Sequence, residues 1–584
     1  MPSSKSPVVG ERYRKRHEDE DDTIASWGHD NPAFVGVTEE GEATASPQTS
    51  SRSSTHDAAV HTISVSPQTG KGHALPEKVL SLKQNTPELP KDKRSQQRET
   101  PKEDIHSSEE EGKSAVAPQV VASVLAALTH VALGTIIGLP GVILPQLTDR
   151  HSSDLYLGIN QVALFGSLIH IGGIFGSMVG GVLNVHVGQR ITLLISMPMT
   201  LVLWVALFFT NAVWLLLFLR TLLGAVQGLV GAASGNYVVE ISQKDIRGRL
   251  TGFTDTGRQV GFLLVYIVGS LDLTWREVML VCGCVTAIPP FIGFLFMPDS
   301  PRWLVTKGRL DEARKALSFF RGPHYNCQLE YDDIIHQFEQ TTNNKMGFMD
   351  QLHQMREPSV FRRLVFLVFL MVAVQFTGNM SIATYVVPIF QATNSNMNSY
   401  TSAILIGGIR VVGTVISQLV VDRMSRRFML IGPCLACTAT LLTLGGYFCA
   451  QNQGLDISNI GWLPLTALMV YTPFVCIIQA AITILRAEIL PTSIRAFSAA
   501  IVYVFFFTGM FVATFTFPAM VATIGEYGAF WSYAAACLLI ALVVGHILPD
   551  TSGLSLEQID DLFRYGKKHI LQSVDQKISS PKIP

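Results

Sequence analysis

The sequence predicts an all-α membrane protein of twelve transmembrane helices arranged as two six-helix halves. Of its 584 residues 48% are hydrophobic and only 15% are charged. From about Val120 onward, apolar segments of about twenty residues alternate with short polar stretches. A helix needs about twenty apolar residues to cross a hydrocarbon core of about 30 Å, because each residue rises about 1.5 Å. A soluble core helix rarely needs so many in a row, so the pattern indicates membrane spans.

One long interruption, at about 298–360, follows the sixth apolar segment and divides the chain six plus six. The predicted spans are 119–144, 160–184, 189–209, 212–238, 248–270, 277–297, 361–389, 399–421, 427–449, 461–485, 497–521 and 527–548. The predicted domains are a tail at 1–117, a first bundle at 118–297, a linker at 298–360, a second bundle at 361–548 and a second tail at 549–584. Such a division is typical of transporters whose substrate lies between paired repeats.

The basic residues predict the orientation. Span ends on one side carry repeated Lys and Arg, including Arg302 and Arg423, whereas the loops near 145–159, 391–400 and 450–460 carry almost none. The positive-inside rule therefore predicts cytoplasmic termini and a cytoplasmic linker.

The first 117 residues are rich in Ser, Thr, Pro, Lys and Glu and contain no long apolar run. They cannot bury enough apolar surface to offset the entropy of ordering, so we expect a disordered tail, either a solvated linker or a segment for trafficking or phosphorylation. No early apolar stretch has the character of a cleaved signal peptide. The sequence has no phosphate-binding loop with its Lys, no metal-ligand spacing and no nucleophile–base arrangement. We therefore expect no enzyme activity, cofactor, metal or nucleic-acid partner, only a small solute and the bilayer.

Charged motifs recur at the span ends that are predicted to face the cytoplasm. Glu240 and Arg247 follow the fourth span at the same spacing at which Glu488 and Arg495 follow the tenth, which is an internal repeat. Such groups can pair across the halves when this mouth closes and separate when it opens; alternatively, each only anchors a helix end. The predicted gating residues are Arg220, Glu240, Arg247, Arg302, Asp422, Arg426, Arg427, Glu488 and Arg495.

These motifs, with Pro298-Asp-Ser-Pro-Arg-Trp-Leu304, resemble those of the sugar porter family of the major facilitator superfamily, which includes glucose and insect trehalose facilitators. The resemblance covers about 119–565. It implies the major facilitator fold, a short helical bundle at about 308–355, a sugar site shared by the halves and a monomer in the plasma membrane. One turn departs from the family pattern, since Val185-His-Val-Gly-Gln-Arg190 lacks the usual acidic residue.

The family's sugar-contact pattern in the seventh span is only partly present. Gln375, Gly378 and Tyr385 match it, whereas Val374 and Met380 stand where the family has Gln and Asn. Counting from neighbouring motifs places four further residues at sugar-contact positions: Asp255, Arg410, Thr483 and Phe506.

Two of those replacements are charged, and a charge deep in a span is costly unless it is paired or hydrated. Asp255 has two possible partners, Arg258 one turn along the same helix and Arg410 across the cavity, and we expect the pair of Asp255 with Arg410.

Three functions remain open. The chain is a facilitative carrier of a sugar (hexose, trehalose or polyol), which the family resemblance favours, a carrier of another polar or charged solute, or a non-transporting sensor closed by an Asp–Arg pair. His130 is the only ionisable residue of the first span, which favours diffusion without proton coupling, and we expect it to hydrogen-bond between helices. Asp255 remains a possible proton carrier if its Arg moves away.

Overall fold

The computed structural model describes residues 114–150, 154–343, 347–393, 397–421, 423–490 and 494–548. The side chains of 341, 343, 348, 458, 487 and 495–497 also lie outside the description. Both predicted tails fall outside it, except for the last residues of the first one.

The first half consists of six spans, the first of which is broken in two. Their bounds are Ala117–Gly138 with Pro140–Thr148, Ile159–His186, Gln189–Phe208, Val213–Ile241, Arg247–Gly269 and Trp275–Leu295. The break in the first span follows from Pro140, which lacks a backbone N–H and starts the second segment. Gly188, at a φ of 93°, makes the tight turn between the second and third spans.

Glycines pack the second span against the fourth. A Cβ added at Gly176 would lie 1.8 Å from the carbonyl oxygen of Ala225, and one added at Gly172 would lie 2.0 Å from that of Thr221. The small-x3-small pattern of the second span therefore serves close helix packing.

The second half begins with an interrupted span. It runs as Pro358–Ala373, a short 3-10 turn at Val374–Thr377, and the helices Asn379–Thr384 and Val386–Gln391. The remaining helices are Ser399–Val420, Arg426–Asn452, Leu463–Ile489 and Arg495–Ile547. The last of these holds the eleventh and twelfth spans, joined at Gly525, whose φ of 73° and ψ of 170° are not helical.

Ten helices of the described part are long and apolar enough to cross a membrane. The last of them counts once although it contains two spans. The fifth span, Arg247–Gly269, is not among the ten, since Asp255, Arg258 and other polar residues lower its mean hydropathy. With these two corrections the total is twelve, which confirms the predicted fold class.

The segment between the halves is helical and attached to the first half. Its helices are Pro301–Thr306, Leu310–Arg321, Gln328–Asn343 and Phe348–Met355. The indole Nε1 of Trp303 donates to the carbonyl of Val185, and Arg321 Nη1 donates to that of Ile241, at 3.2 and 2.8 Å. We call this end of the bundle, where odd spans begin and even spans end, the linker side, and the opposite end the far side.

The two halves meet along the fifth and eighth spans, along the second and eleventh spans, and, at the far side, through the first and seventh. On the far side the Tyr266 hydroxyl donates to the carbonyl of Ala383, 2.9 Å away. Near the linker side, Gln418 Nε2 donates to the carbonyl of Gly252 at 2.7 Å. Between these two levels lies the polar centre of the interface.

Candidate functional site

Arg410 lies at the middle of the eighth span and joins three spans. Its Nε donates to Gln259 Oε1 at 3.0 Å, and its Nη2 donates to Asn379 Oδ1 at 2.9 Å. The guanidinium carbon is 5.0 Å from the ring centroid of Phe262, and the residue is only 2% exposed. Because Gln259 and Phe262 belong to the fifth span, these contacts cross from one half to the other.

Asp255 pairs within its own helix. Arg258 Nη2 donates to Asp255 Oδ1 at 2.9 Å, and the Asp255 side chain is 49% exposed. The predicted pair between Asp255 and Arg410 is therefore wrong. Arg258 is one turn away and reaches the carboxylate without crossing the interface, whereas Arg410 meets amide oxygens. The sequence reasoning missed Gln259 and Asn379, although one lies a turn after Asp255 and the other directly follows Gly378.

Gln375 and Gly378 lie at the break in the seventh span. Gln375 is fully buried; its Nε2 donates to the carbonyl of Met371 at 3.0 Å, while its Oε1 has no hydrogen-bond partner in the described part. Gly378 has a φ of 89°, and a Cβ there would lie 2.6 Å from the Tyr533 ring. A Cβ added at Gly509 would touch Gln375, so the break packs against the last long helix.

Tyr385 also contacts that long helix, at the far side. Its hydroxyl donates to the carbonyl of Thr514 at 3.3 Å, and its ring stacks on Phe517 with 5.3 Å between centroids. A Cβ added at Gly166 would lie 2.5 Å from the Tyr385 hydroxyl oxygen, so the second span also packs closely here. The three residues that match the family pattern are thus all on the broken span, and two of them are at the break.

Thr483 and Phe506 make their specific contacts within their own spans. The exposed Thr483 hydroxyl donates to the carbonyl of Gln479 at 2.9 Å. The half-buried Phe506 ring meets Tyr503 and Phe507 edge-on at 6.4 and 5.8 Å. These contacts do not bring either residue to Arg410.

Charged and polar groups on the linker side tie each half together internally. Glu240 accepts from Gln189 Nε2 at 2.8 Å and from the Ser300 hydroxyl. In the second half, Arg426 Nη2 lies 3.2 Å from Glu488 Oε1, which joins the ninth span to the tenth. The two halves thus make the same connection differently: in the first half Glu240 binds the neutral Gln189, and in the second half Glu488 pairs with the charged Arg426.

The turn that lacks the family's acidic residue uses another carboxylate. Arg190 Nη1 lies 3.8 Å from Asp299 Oδ2, and its Nε donates to the carbonyl of Phe294 at 3.1 Å. Burial raises the pKa of Asp299, an effect that the Arg190 charge opposes. The contacts of this turn are thus rearranged toward the start of the linker.

The remaining linker-side arginines bind neighbouring groups. Arg247 Nη2 donates to the carbonyl of Ser242 at 3.2 Å, and Arg302 Nη1 donates to Gln337 Oε1 at 3.4 Å. Arg427 donates to the carbonyl of Gly545. Of the other predicted gating residues, Asp422 and the side chain of Arg495 lie outside the described residues.

A comparison with known sequence families identifies the family of this chain. The family described as "Sugar (and other) transporter" matches residues 117–563, from the first span to beyond the last. The chain belongs to this family.

Relatives and solved structures agree with this membership. The chain is 28% identical over 443 residues to the facilitated trehalose transporter Tret1 of Polypedilum vanderplanki, covering 76% of this chain and 87% of that one. It is 30% identical over 415 residues to Tret1 of Bombyx mori, covering 70% and 80%. The partially occluded, inward-open xylose transporter XylE of E. coli matches with a TM-score of 0.62 at 20% identity, covering 75% of this chain and all of that one. XylE bound to 6-bromo-6-deoxy-D-glucose matches with a TM-score of 0.63 at 22% identity, covering 77% and 100%. These structural likenesses show the major facilitator fold.

In this member of the sugar transporter family, Arg220 does not lie with the other predicted gating residues at the linker side. It lies 20 residues before Glu240 on one helix, which is about 30 Å along the axis. Arg220 is fully buried; its Nε donates to the carbonyl of Phe165 at 3.3 Å, and its guanidinium carbon lies 5.0 Å from that ring's centroid. The prediction that Arg220 belongs with Glu240 on the linker side is wrong, because the two residues lie near opposite ends of a helix that spans the membrane.

His130 bridges two spans of the family member as predicted. Its Nδ1 lies 3.3 Å from the hydroxyl oxygen of Ser234 on the fourth span and equally far from the carbonyl of Ala126. The hydrogen-bonding role between helices is therefore confirmed for this residue.

Proposed function

We propose that this protein is a facilitative carrier of sugar-like solutes and works by alternating access. One observation carries the proposal, namely the buried polar cluster of Arg410, Gln259 and Asn379 midway along the interface between the halves. Substrate sites of paired-repeat transporters lie near the bilayer midplane at such an interface. Membership of the sugar transporter family, and relatives named as facilitated trehalose transporters, support a hexose, trehalose or polyol as the solute.

The proposed substrate contacts include Arg410 of this cluster and residues of the fifth, seventh, tenth and eleventh spans. They are Asp255, Gln375, Gly378, Tyr385, Arg410, Thr483 and Phe506, to which the geometry adds Gln259 and Asn379. Amide side chains both donate and accept hydrogen bonds, so they can bind sugar hydroxyls, and aromatic faces pack against the ring.

The proposed cycle separates contacts at one side and then at the other. The far side is held by the Tyr266–Ala383 hydrogen bond and by Tyr400, whose hydroxyl donates to the carbonyl of Val142 at 3.4 Å. These bonds would break when the far side opens. The charged residues of the linker side would then pair across the halves and separate again on the return.

The break at Gly378 supplies the local flexibility that the seventh span needs in this cycle. Its left-handed backbone lets the two parts of the span change direction independently. Transport would be passive, because the first span offers only His130 as an ionisable group and its hydrogen bond to Ser234 packs two helices together. Asp255 as a proton carrier remains the alternative to this.

The proposed setting is the plasma membrane, with the linker side and both termini in the cytoplasm and the protein acting as a monomer. The excess of Lys and Arg on the linker side supports this orientation. No cofactor and no nucleic acid take part in the proposed activity.

The test is uptake of radiolabelled glucose, trehalose and a polyol by cells that express the full chain at their surface. We expect saturable uptake above that of control cells for at least one of them, inhibited by the others in proportion to their fit. Uptake of none of the three, with the protein demonstrably at the surface, would reject these neutral solutes and leave a different solute or a non-transporting role.

A further inference from the structure

Arg410 is a buried cation whose partners are all neutral. Its guanidinium binds the amide oxygens of Gln259 and Asn379 and lies over Phe262, and its Nη1 takes part in neither hydrogen bond. The ion pairs in the part of the chain that the structure describes are made by other arginines. A charge inside a membrane is costly unless a counter-charge or water compensates it.

Asp255 does not provide that counter-charge, although it lies one helical turn before Gln259. Its carboxylate binds Arg258 at 2.9 Å. The three charges of Asp255, Arg258 and Arg410 are −1, +1 and +1, so the centre of the interface keeps a net charge of +1.

A second guanidinium deeper toward the far side has the same sign. Arg220 is fully buried, and neither its Nη1 nor its Nη2 has a hydrogen-bond partner among the described residues. His170, which is near enough to interact electrostatically with Arg220, is fully buried with both ring nitrogens equally unpartnered. A low-dielectric interior with uncompensated positive charge attracts anions.

We propose that the carried solute is an anion, a polyhydroxy body with one carboxylate, and that Arg410 is the specificity-determining residue that binds this carboxylate. The inference rests on the proposed function, whose substrate class it names. A guanidinium offers a carboxylate two parallel N–H donors, and the free Nη1 of Arg410 is one of them. Gln259 and Asn379 then face the hydroxyls.

A competing explanation is that Arg410 is a structural tie between the fifth, seventh and eighth spans. Lysine separates the two, because it keeps the charge but not the planar fork that reaches both amide oxygens. If Arg410 binds an anion, Arg410→Lys retains the preference for charged solutes and Arg410→Asn loses it. If it is a tie, the two variants behave alike.

The experiment measures uptake by the purified full chain in proteoliposomes. The probes are radiolabelled D-glucuronate, its neutral methyl ester and the neutral sugars D-glucose and trehalose, each with and without an inside-positive potential set by potassium and valinomycin. We expect saturable glucuronate uptake that the positive potential accelerates, because a negative charge crosses in each cycle. Arg410→Asn should lower the preference for glucuronate over its methyl ester about ten- to a hundred-fold, the factor of a charge-assisted hydrogen-bonded pair.

Arg276→Asn is the matched control. Arg276 lies at the far end of the sixth span, where it binds the carbonyl of Phe208 and the side chain of Asn211. Its loss should leave the preference unchanged. Elution of each variant as a single species in detergent shows whether a silent variant is folded, and stabilisation of the native chain against heat by glucuronate reports binding independently of transport.

The outcomes separate the inference from the function on which it rests. Saturable glucose or trehalose uptake, with neither transport of glucuronate nor inhibition by it, would overturn the anionic substrate and leave the carrier function standing. Equal losses in Arg410→Asn and Arg410→Lys would overturn the role of Arg410 as counter-charge. Uptake of none of the probes, with no stabilisation by glucuronate, would overturn both the carrier function and the inference.

Discussion

At the residue scale, the charged side chain of Asp255 pairs with a neighbour on its own helix rather than with the opposite charge across the interface. Asp255 pairs with Arg258, one turn away, and Arg410 donates hydrogen bonds to the amide oxygens of Gln259 and Asn379 on the two spans that it faces. The positions of both charged residues could be predicted from the sequence, but their partners could not. Partner choice depends on the rotation of each helix about its axis and on rotamers, which no spacing in a single helix reveals.

The Asp255–Arg258 pair predicts weak local coupling. A double-mutant cycle of Asp255→Asn and Arg258→Gln, measured as thermal stability in detergent, should give a coupling of about 0.5 kcal/mol, because both side chains are partly exposed and the pair is screened. The cycle of Asp255→Asn with Arg410→Asn should give a coupling near zero. A larger coupling in the second cycle would contradict the pairing described here.

Gly378 predicts a sharp intolerance of side chains. Gly378→Ala combines the cost of a left-handed backbone, about 1–2 kcal/mol, with a clash against the Tyr533 ring. We expect a lower melting temperature and impaired transport.

Gly408→Ala is the control for this change, since no atom lies within 4 Å of the Cβ that it adds. It should keep both properties. A Gly378→Ala variant as stable and active as its control would mean that the seventh span relaxes around the break.

At the scale of the elements, the number of spans could be predicted from apolar length alone, and their shapes could not. The fifth span is among the predicted apolar segments, at 248–270, although its polar residues keep its mean hydropathy below that of the others. The break at Gly378 and the joint at Gly525 depend on backbone angles that length and hydropathy do not encode, whereas the break after Leu139, whose own backbone angles are helical, follows from Pro140. The position of Arg220 shows the same limit, because a motif within one helix can extend from one side of the bilayer to the other.

Packing of the second span against the fourth predicts a position-specific effect of small substitutions. Gly176→Ala should destabilise the first half by more than about 1 kcal/mol, because the added Cβ would meet the backbone of Ala225 and the helices must move apart. Gly181→Ala on the same helix adds its Cβ to open space and should be neutral. The measurement is heat-induced loss of the monodisperse species in detergent, and equal effects of the two changes would argue against tight packing here.

At the scale of the whole molecule, the contacts of the far side predict a lockable gate. A Cβ added at Gly141 would lie 3.2 Å from Val386 Cγ1, so a Gly141→Cys, Val386→Cys double variant is within reach of a disulfide. Oxidation should join the first and seventh spans, hold the far side closed and abolish transport, and reduction should restore it.

Each single cysteine variant is the control for this cross-link and should be insensitive to the oxidant. Full transport by the cross-linked double variant would show that the far side does not have to open there, which contradicts alternating access through this interface.

Counterflow in proteoliposomes tests passive carriage by alternating access. Vesicles containing the full chain are loaded with unlabelled sugar and diluted into a trace of labelled sugar, without a pH gradient, using each solute of the uptake and charge experiments in turn. We expect transient accumulation of label above its outside concentration for at least one solute, because unlabelled sugar inside competes with the label for the carrier and slows its exit. Labelled sugar that never rises above its outside concentration, or that enters equally in vesicles without the protein, would contradict carriage by alternating access.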